Sequence, residues 1–400
     1  MRYRRGIILG LSAALLGVCA LMAGAVALSV AQFTRAGVRF QAISFDRVSA
    51  EATEEKRFTL GEPGQLVVDN AGGAVTVVAA DTTEVVVSLH KTAWAANAAA
   101  AQADLDALQV SFDQQGDRLT IRYQQPNQVV VVGSTRSDTV DLTLTVPRQM
   151  AVDLRANFGD VRLEGVTGAA ILKTDFGQIT VADTTGPLTA QTNSGTVTAR
   201  RVQAGEGAIE LRSDFGAVML EDAAAGRLGL HSSSGKITAT QVTVPGQVSA
   251  DTDFGPITLR AVSGAGYDLR TNSGAITVAG AAGTLLAHTD FGDIAITDAL
   301  SVTLDLKTNS GQIDFTGSLG QGPHTVKTDF GAVTLALPEA TALTVDLSTD
   351  FGQITSAFPI LVTGELSRQS ATRFSGPLNG GGEQLTVHTN SGNVTLEILK

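Results

Sequence analysis

A tripeptide, Asp-Phe-Gly or Asn-Ser-Gly with minor variants, returns about every 19 residues from position 157 to the C-terminus. No other feature constrains the fold as tightly. Twelve glycines carry it, from Gly159 to Gly392, and two residues after each stands Val or Ile. Self-similarity at a period near 20 residues marks a solenoid, in which each unit buries its apolar face only against its neighbours. Five residues before the glycine the side chain is usually aliphatic, as at Leu154, Leu172, Leu211, Leu269 and Leu306. Three before it stands Thr or Ser in eleven of the twelve units.

Apolar and polar residues alternate on each side of the tripeptide, but the phase slips by one across it. Such a slip predicts a corner or bulge, with glycine supplying positive φ and Asp or Asn bonding its own backbone two residues on. A second glycine nine to eleven residues later (Gly168, Gly186, Gly205, Gly226) predicts a second corner. The expected fold is therefore all-β: a single-stranded, parallel β-helix-like solenoid of about 19-residue coils, two strands to each. A single coil of about 38 residues is the alternative. Phe and Ser mostly alternate before the glycine, and Asp mostly alternates with Asn or Ser one position earlier. If coils stack in register, a ring over a serine avoids crowding, and like charges stay about 10 Å apart.

The chain has 400 residues with 43 glycines, and only 17% of residues are charged, which suits a turn-dense β protein. Its formal charge is −11, and the first 31 residues hold three arginines and no acid, so the remainder is near −14. An acidic body is a poor partner for nucleic acid. The single Cys19 excludes a disulfide within the chain. Residues Gly6–Ala31 carry no charge, more than the roughly 20 needed to span a bilayer. Arg2, Arg4 and Arg5 place the N-terminus in the cytoplasm and the body outside it. A signal peptide cleaved after Ser29-Val30-Ala31 is the competing reading.

The expected organisation is a transmembrane anchor or signal segment at 1–31, a juxtamembrane stalk at 32–60, an N-terminal β module at 61–150, and the repeats with a C-terminal cap at 151–400. Within the N-terminal module the alanine-rich stretch 95–108 predicts a short helix. That module and the irregular stretch Thr363–Gln384 are the expected end caps, since open solenoid edges need covering.

The array T-[DN]-[FS]-G-x-[IV]-T-[VL], the segment Leu66-Val-Val-Asp-Asn-Ala-Gly-Gly-Ala-Val-Thr-Val and the final His388-Thr-Asn-Ser-Gly-Asn-Val-Thr-Leu resemble the bacterial "putative adhesin" β-strand-repeat family, a domain of unknown function. The resemblance covers about residues 60–400. It implies a membrane-tethered or secreted β-solenoid at the cell surface or in envelope-stress systems, and it brings no catalytic residues.

Asp-Phe-Gly also occurs in protein kinases, but here it lacks the phosphate loop, strand lysine and catalytic loop of that chemistry. One Asp per two coils is sparse for calcium, which takes six to eight oxygens. His231, His288 and His388 occupy equivalent places in separate coils, which argues against a metal cluster. No catalytic, cofactor-binding or metal-binding residue is expected. Four before the glycine, Arg155, Lys173, Arg212, Arg270, Lys307 and Lys327 form a candidate binding stripe. It either compensates the neighbouring Asp column or docks an acidic polymer. The expected role is non-enzymatic: a cell-surface solenoid presenting a repetitive face for adhesion, its partner an envelope polysaccharide or a surface or membrane protein. A sensor of envelope stress acting through a membrane partner is the second reading, and a polysaccharide lyase or hydrolase the third.

Overall fold

A computed structural model of the chain describes residues 47–124, 137–359 and 372–399. Among these residues the fold is all-β apart from one helix, Ala98–Ala107 (α1). The apolar segment 1–31, with its expected transmembrane helix, lies outside the described residues, as do positions 363–371 of the expected C-terminal cap. Among the described residues no helix is long and apolar enough to cross a membrane.

The chain divides into two compact units. The smaller includes Thr92–Leu108. Its helix α1 is capped by Asn97, whose side chain accepts the Ala100 N–H at 2.9 Å, and Ala101 and Leu105 are buried. In the same unit the Trp94 N–H donates to Asp138 at 2.8 Å, and burial pushes the Asp138 carboxyl above the usual carboxylate range.

The larger unit is a parallel solenoid of coils. Each coil runs through one strand, the Gly corner, a second strand and a second corner. Successive coils are in register: Leu172 lies between Leu154 and Ala190, and Ile179 between Val161 and Val197. Alternate residues point inward, so the aliphatic columns read from the sequence fill the interior, with Leu154, Leu172, Leu211, Val218, Ile257 and Leu269 all buried. Each such side chain contributes about 1.5–3 kcal/mol by leaving water. Tyr267 is also inside, its hydroxyl donating to the Val262 carbonyl at 2.6 Å and accepting the Gly264 N–H at 2.9 Å.

The second corner turns on a left-handed residue six positions after the glycine. Asp183, Arg201, Asp222, Gln241, Ala261 and Asp298 have φ between 50° and 55° there, and Gly165 and Gly280 take the equivalent place. The strain of a side chain in this region is on the order of 1–2 kcal/mol per residue. The second glycines noted in the sequence lie beyond it.

At both ends the coils are stacked out of chain order. The coil of Gly64–Asn70 and Val75–Ala80 lies between that of Met150–Phe158 and Val161–Glu164 and that of Arg118–Tyr123 and Thr139–Pro147. The last coil of the chain, Glu383–Ser391 with Val394–Ile398, is inserted between His324–Phe330 with Val333–Leu337 and Leu343–Phe351 with Ile354–Ser356. The final strand thus has neighbours on both sides. Beyond the outermost coils, Val110–Gln115 pairs antiparallel with Arg118–Tyr123, and Arg373–Leu378 pairs antiparallel with Leu343–Phe351. These antiparallel strands cover edges that would otherwise invite another chain.

Candidate functional site

The Gly corner is built by three side-chain positions acting across coils. A Cβ added at Gly177, Gly195, Gly274 or Gly311 would overlap the carbonyl oxygen of the glycine one coil back. Close approach of stacked backbones is therefore what requires glycine along the column. Only Gly159, Gly195 and Gly292 of this column have φ between 147° and 159°, so the expected general positive φ is corrected. The approached carbonyl is held by the Thr or Ser three before the next glycine. Thr174 donates to Gly159 at 3.0 Å, Thr192 to Gly177 at 3.0 Å, Ser213 to Gly195 at 2.7 Å and Thr308 to Gly292 at 3.0 Å. These hydroxyl-bearing side chains are buried, so the bond satisfies a carbonyl turned out of the regular ladder.

The parity slip leaves two consecutive residues facing outward. The first is the Asp or Asn. Its side chain bonds across coils, where bonding to its own backbone two residues on was expected: Asn193 donates to Asp175 at 3.0 Å, Asn272 to Asp253 at 3.3 Å and Asn309 to Asp290 at 2.8 Å. The alternation thus separates like charges and gives these three carboxylates a neutral donor, while Asp214 pairs instead with Arg212.

The second outward residue is the Phe or Ser. Phe158, Phe176, Phe215, Phe254, Phe291, Phe330 and Phe351 are 55–79% exposed, which makes them a row of rings along one edge. From Phe176 onward a Ser coil separates successive rings, with Ser194 beside both Phe176 and Phe215. The pitch is two interstrand spacings, about 10 Å. The expected crowding of ring over ring does not hold at Phe158 and Phe176, which are adjacent and stack with centroids 5.2 Å apart and planes 4° from parallel.

The column four before the glycine does form one line, Lys173 lying beside Arg155 and Gln191, and Lys307 beside His288 and Lys327. Its arginines are neutralised locally. Arg155 pairs with Asp153 at 2.9 Å, Arg270 with Asp268 at 2.7 Å and Arg212 with Asp214 at 3.1 Å. The bonded carboxylates push Arg155 and Arg270 above the ordinary guanidinium value. His231 pairs with Asp251 in the next coil, and His288 with Asp305 at 3.2 Å. Lys173, Lys307 and Lys327 make no ion pair among the described residues. Of the six stripe residues, three arginines are committed and three lysines remain.

Among the described residues no group of three or more His, Cys, Asp or Glu side chains could hold a metal ion. The exposed rings were present in the sequence as Phe-Gly pairs, but their outward direction follows only from the parity slip.

The family described as Toastrack DUF4097 matches residues 65–290 and 285–397. No curated protein matches the sequence. Three solved structures show remote likeness. One is a "putative cell adhesion protein" from Clostridium sporogenes ATCC 15579, with 8% identity, 87% of this chain and 100% of that chain covered, and a TM-score of 0.19. Another is a "putative adhesin" from Bacteroides fragilis NCTC 9343, at 12% identity, 87% and 97% coverage and a TM-score of 0.26. The third is a "putative lipid binding protein" from Parabacteroides distasonis ATCC 8503, at 10% identity, 87% and 97% coverage and a TM-score of 0.25.

Proposed function

The chain belongs to the Toastrack DUF4097 family, and from that premise we propose that it is a non-enzymatic binding solenoid displayed on the outer side of the cell membrane. Its repetitive corner edge engages envelope polymer or a surface protein. The observation that carries this reading is the row of seven phenylalanines more than half exposed at equivalent corners. From Phe176 onward a large ring held in water at every second coil gains nothing for the fold, whereas aligned rings offer a rigid apolar contact along the solenoid. The basic column plays the smaller part, because its arginines are already paired. Export and anchoring rest on the charge-free Gly6–Ala31 behind three arginines.

The test is co-sedimentation of the full chain with delipidated envelope material from its source cell, across a salt series. Binding is expected to persist at salt that screens exposed charges, and to fall sharply when Phe254 and Phe291 become Ser. Binding that ignores those substitutions but vanishes with Lys173→Glu, Lys307→Glu and Lys327→Glu would return the site to the basic column.

A further inference from the structure

We propose that the Phe–Asp edge is a row of subsites for an extended β-linked polysaccharide whose sugars carry amino groups, one ring and one carboxylate for each disaccharide. The inference rests on the binding role above and names its polymer.

From Phe176 to Phe351 a ring stands on every second coil, and the row stays regular at the C-terminal end only because Ser391 lies between Phe330 and Phe351. The pitch is about 10 Å. In an extended β-1,4-linked hexopyranose chain each sugar is turned over relative to the last, so one ring face recurs every second sugar, at a length matching that pitch. The C–H-rich face of a pyranose is apolar and stacks on an aromatic ring, as flat ligands generally do. A ring at every coil would meet alternating faces; a ring at every second coil meets the same face each time.

Charge selects among such polymers. Immediately before each ring from Phe176 onward stands a carboxylate; Asp214 pairs with Arg212, whereas Asp175, Asp253, Asp290, Asp329 and Asp350 make no ion pair among the described residues. Four of them, Asp175, Asp253, Asp290 and Asp329, accept an Asn amide from the adjacent coil on one side, which fixes the carboxylate and leaves acceptor capacity outward. Lys173 and Lys327 stand two residues upstream on the strand, about 7 Å along it, whereas ring and carboxylate are consecutive. A polymer of uronic acids or phosphates would meet this carboxylate line unfavourably. Protonated amines at sugar spacing complement it.

The test is calorimetric titration of the full chain in detergent at pH 6 with three hexasaccharides: β-1,4-linked glucosamine, β-1,4-linked glucose and a polyuronate. Two paired variants place at ring or acid positions the residue that alternate coils already hold there: Phe254→Ser with Phe291→Ser, and Asp253→Asn with Asp290→Asn. Thermal melts confirm that both remain folded. The glucosamine hexamer is expected to bind most tightly. The Phe pair should weaken it about tenfold and the Asp pair about fivefold, the latter at low salt. Equal or tighter binding of the uronate or glucose hexamer overturns the proposal, as does binding of the glucosamine hexamer unchanged by the Phe pair. If no hexamer binds while envelope material still sediments with the chain, this inference falls and the broader binding role stands.

Discussion

The Thr349 hydroxyl donates to the carbonyl of Gly392 at 2.8 Å, although Gly392 lies 43 residues further along the chain. In the next coil Thr389 donates back to Gly331 at 3.0 Å, across 58 residues. Elsewhere the same bond joins coils consecutive in sequence, as from Thr308 to Gly292. One hydroxyl-to-glycine link therefore defines which coils are neighbours, and it shows the last coil seated between two that precede it. The Asn390 side chain follows suit, donating to Asp329 at 3.3 Å.

Replacing Thr308 by Val keeps its shape and removes the hydroxyl that holds the Gly292 carbonyl. Loss of one buried bond costs on the order of 1 kcal/mol. Thr277→Val, on the half-buried outer face of the strand after the corner, should cost less than about 0.5 kcal/mol. Urea unfolding of both variants checks the contrast, and equal losses would contradict the role given to the inner threonine.

Gly274→Ala would drive a Cβ into the Gly255 carbonyl, a backbone atom that cannot step aside without parting two coils. A loss of roughly 3 kcal/mol or more is expected. Gly116, at φ +59°, has open space where its Cβ would stand, so Gly116→Ala meets only the left-handed penalty of about 1 kcal/mol. Similar melting temperatures for the two variants would rule out close approach as the reason for the glycine column.

His324 is fully buried, and its Nδ1 accepts the Leu304 N–H at 3.3 Å, so the neutral ring carries its proton on Nε2. Burial holds its pKa below the ordinary histidine value. The unfolded chain takes up a proton near pH 6.5 where the folded chain does not, so this group's contribution to stability falls as pH drops below about 6.5. Its slope is at most about 1.4 kcal/mol per pH unit. Melting temperatures of the parent and His324→Asn between pH 7.5 and 5.5 should diverge in slope, the variant being flatter. Parallel curves would contradict it.

The coil architecture was legible because close approach leaves only glycine at the corner, and period-2 alternation marks each flanking strand. The exchange of coils was written there too, as a lapse in alternation: Phe330 and Phe351 follow one another in sequence with no Ser unit between them. It could be read only by supposing that Ser391 returns to fill the gap, because parallel pairing carries no record of chain order. The left-handed corner was hidden for a different reason. Asp183, Arg201, Gln241 and Ala261 share a backbone conformation and no side-chain chemistry. The inner threonines were visible only as a recurrent Thr or Ser three before the glycine, since their acceptor sits in another coil. The binding stripe was visible as a column, but its ion pairs depend on rotamers that spacing does not specify.

The most direct measurement is disulfide trapping at the exposed corner, with Cys19 replaced by Ser. Cysteines at 330 and 391, or at 351 and 391, sit on adjacent strands about 4.8 Å apart, within reach of a disulfide. Cysteines at 330 and 351 sit two strands apart, beyond it. Efficient closure of the first two pairs and none of the third is expected. Ready closure between 330 and 351, with 391 left free, would mean that the coils stack in chain order and that the phenylalanine row is broken.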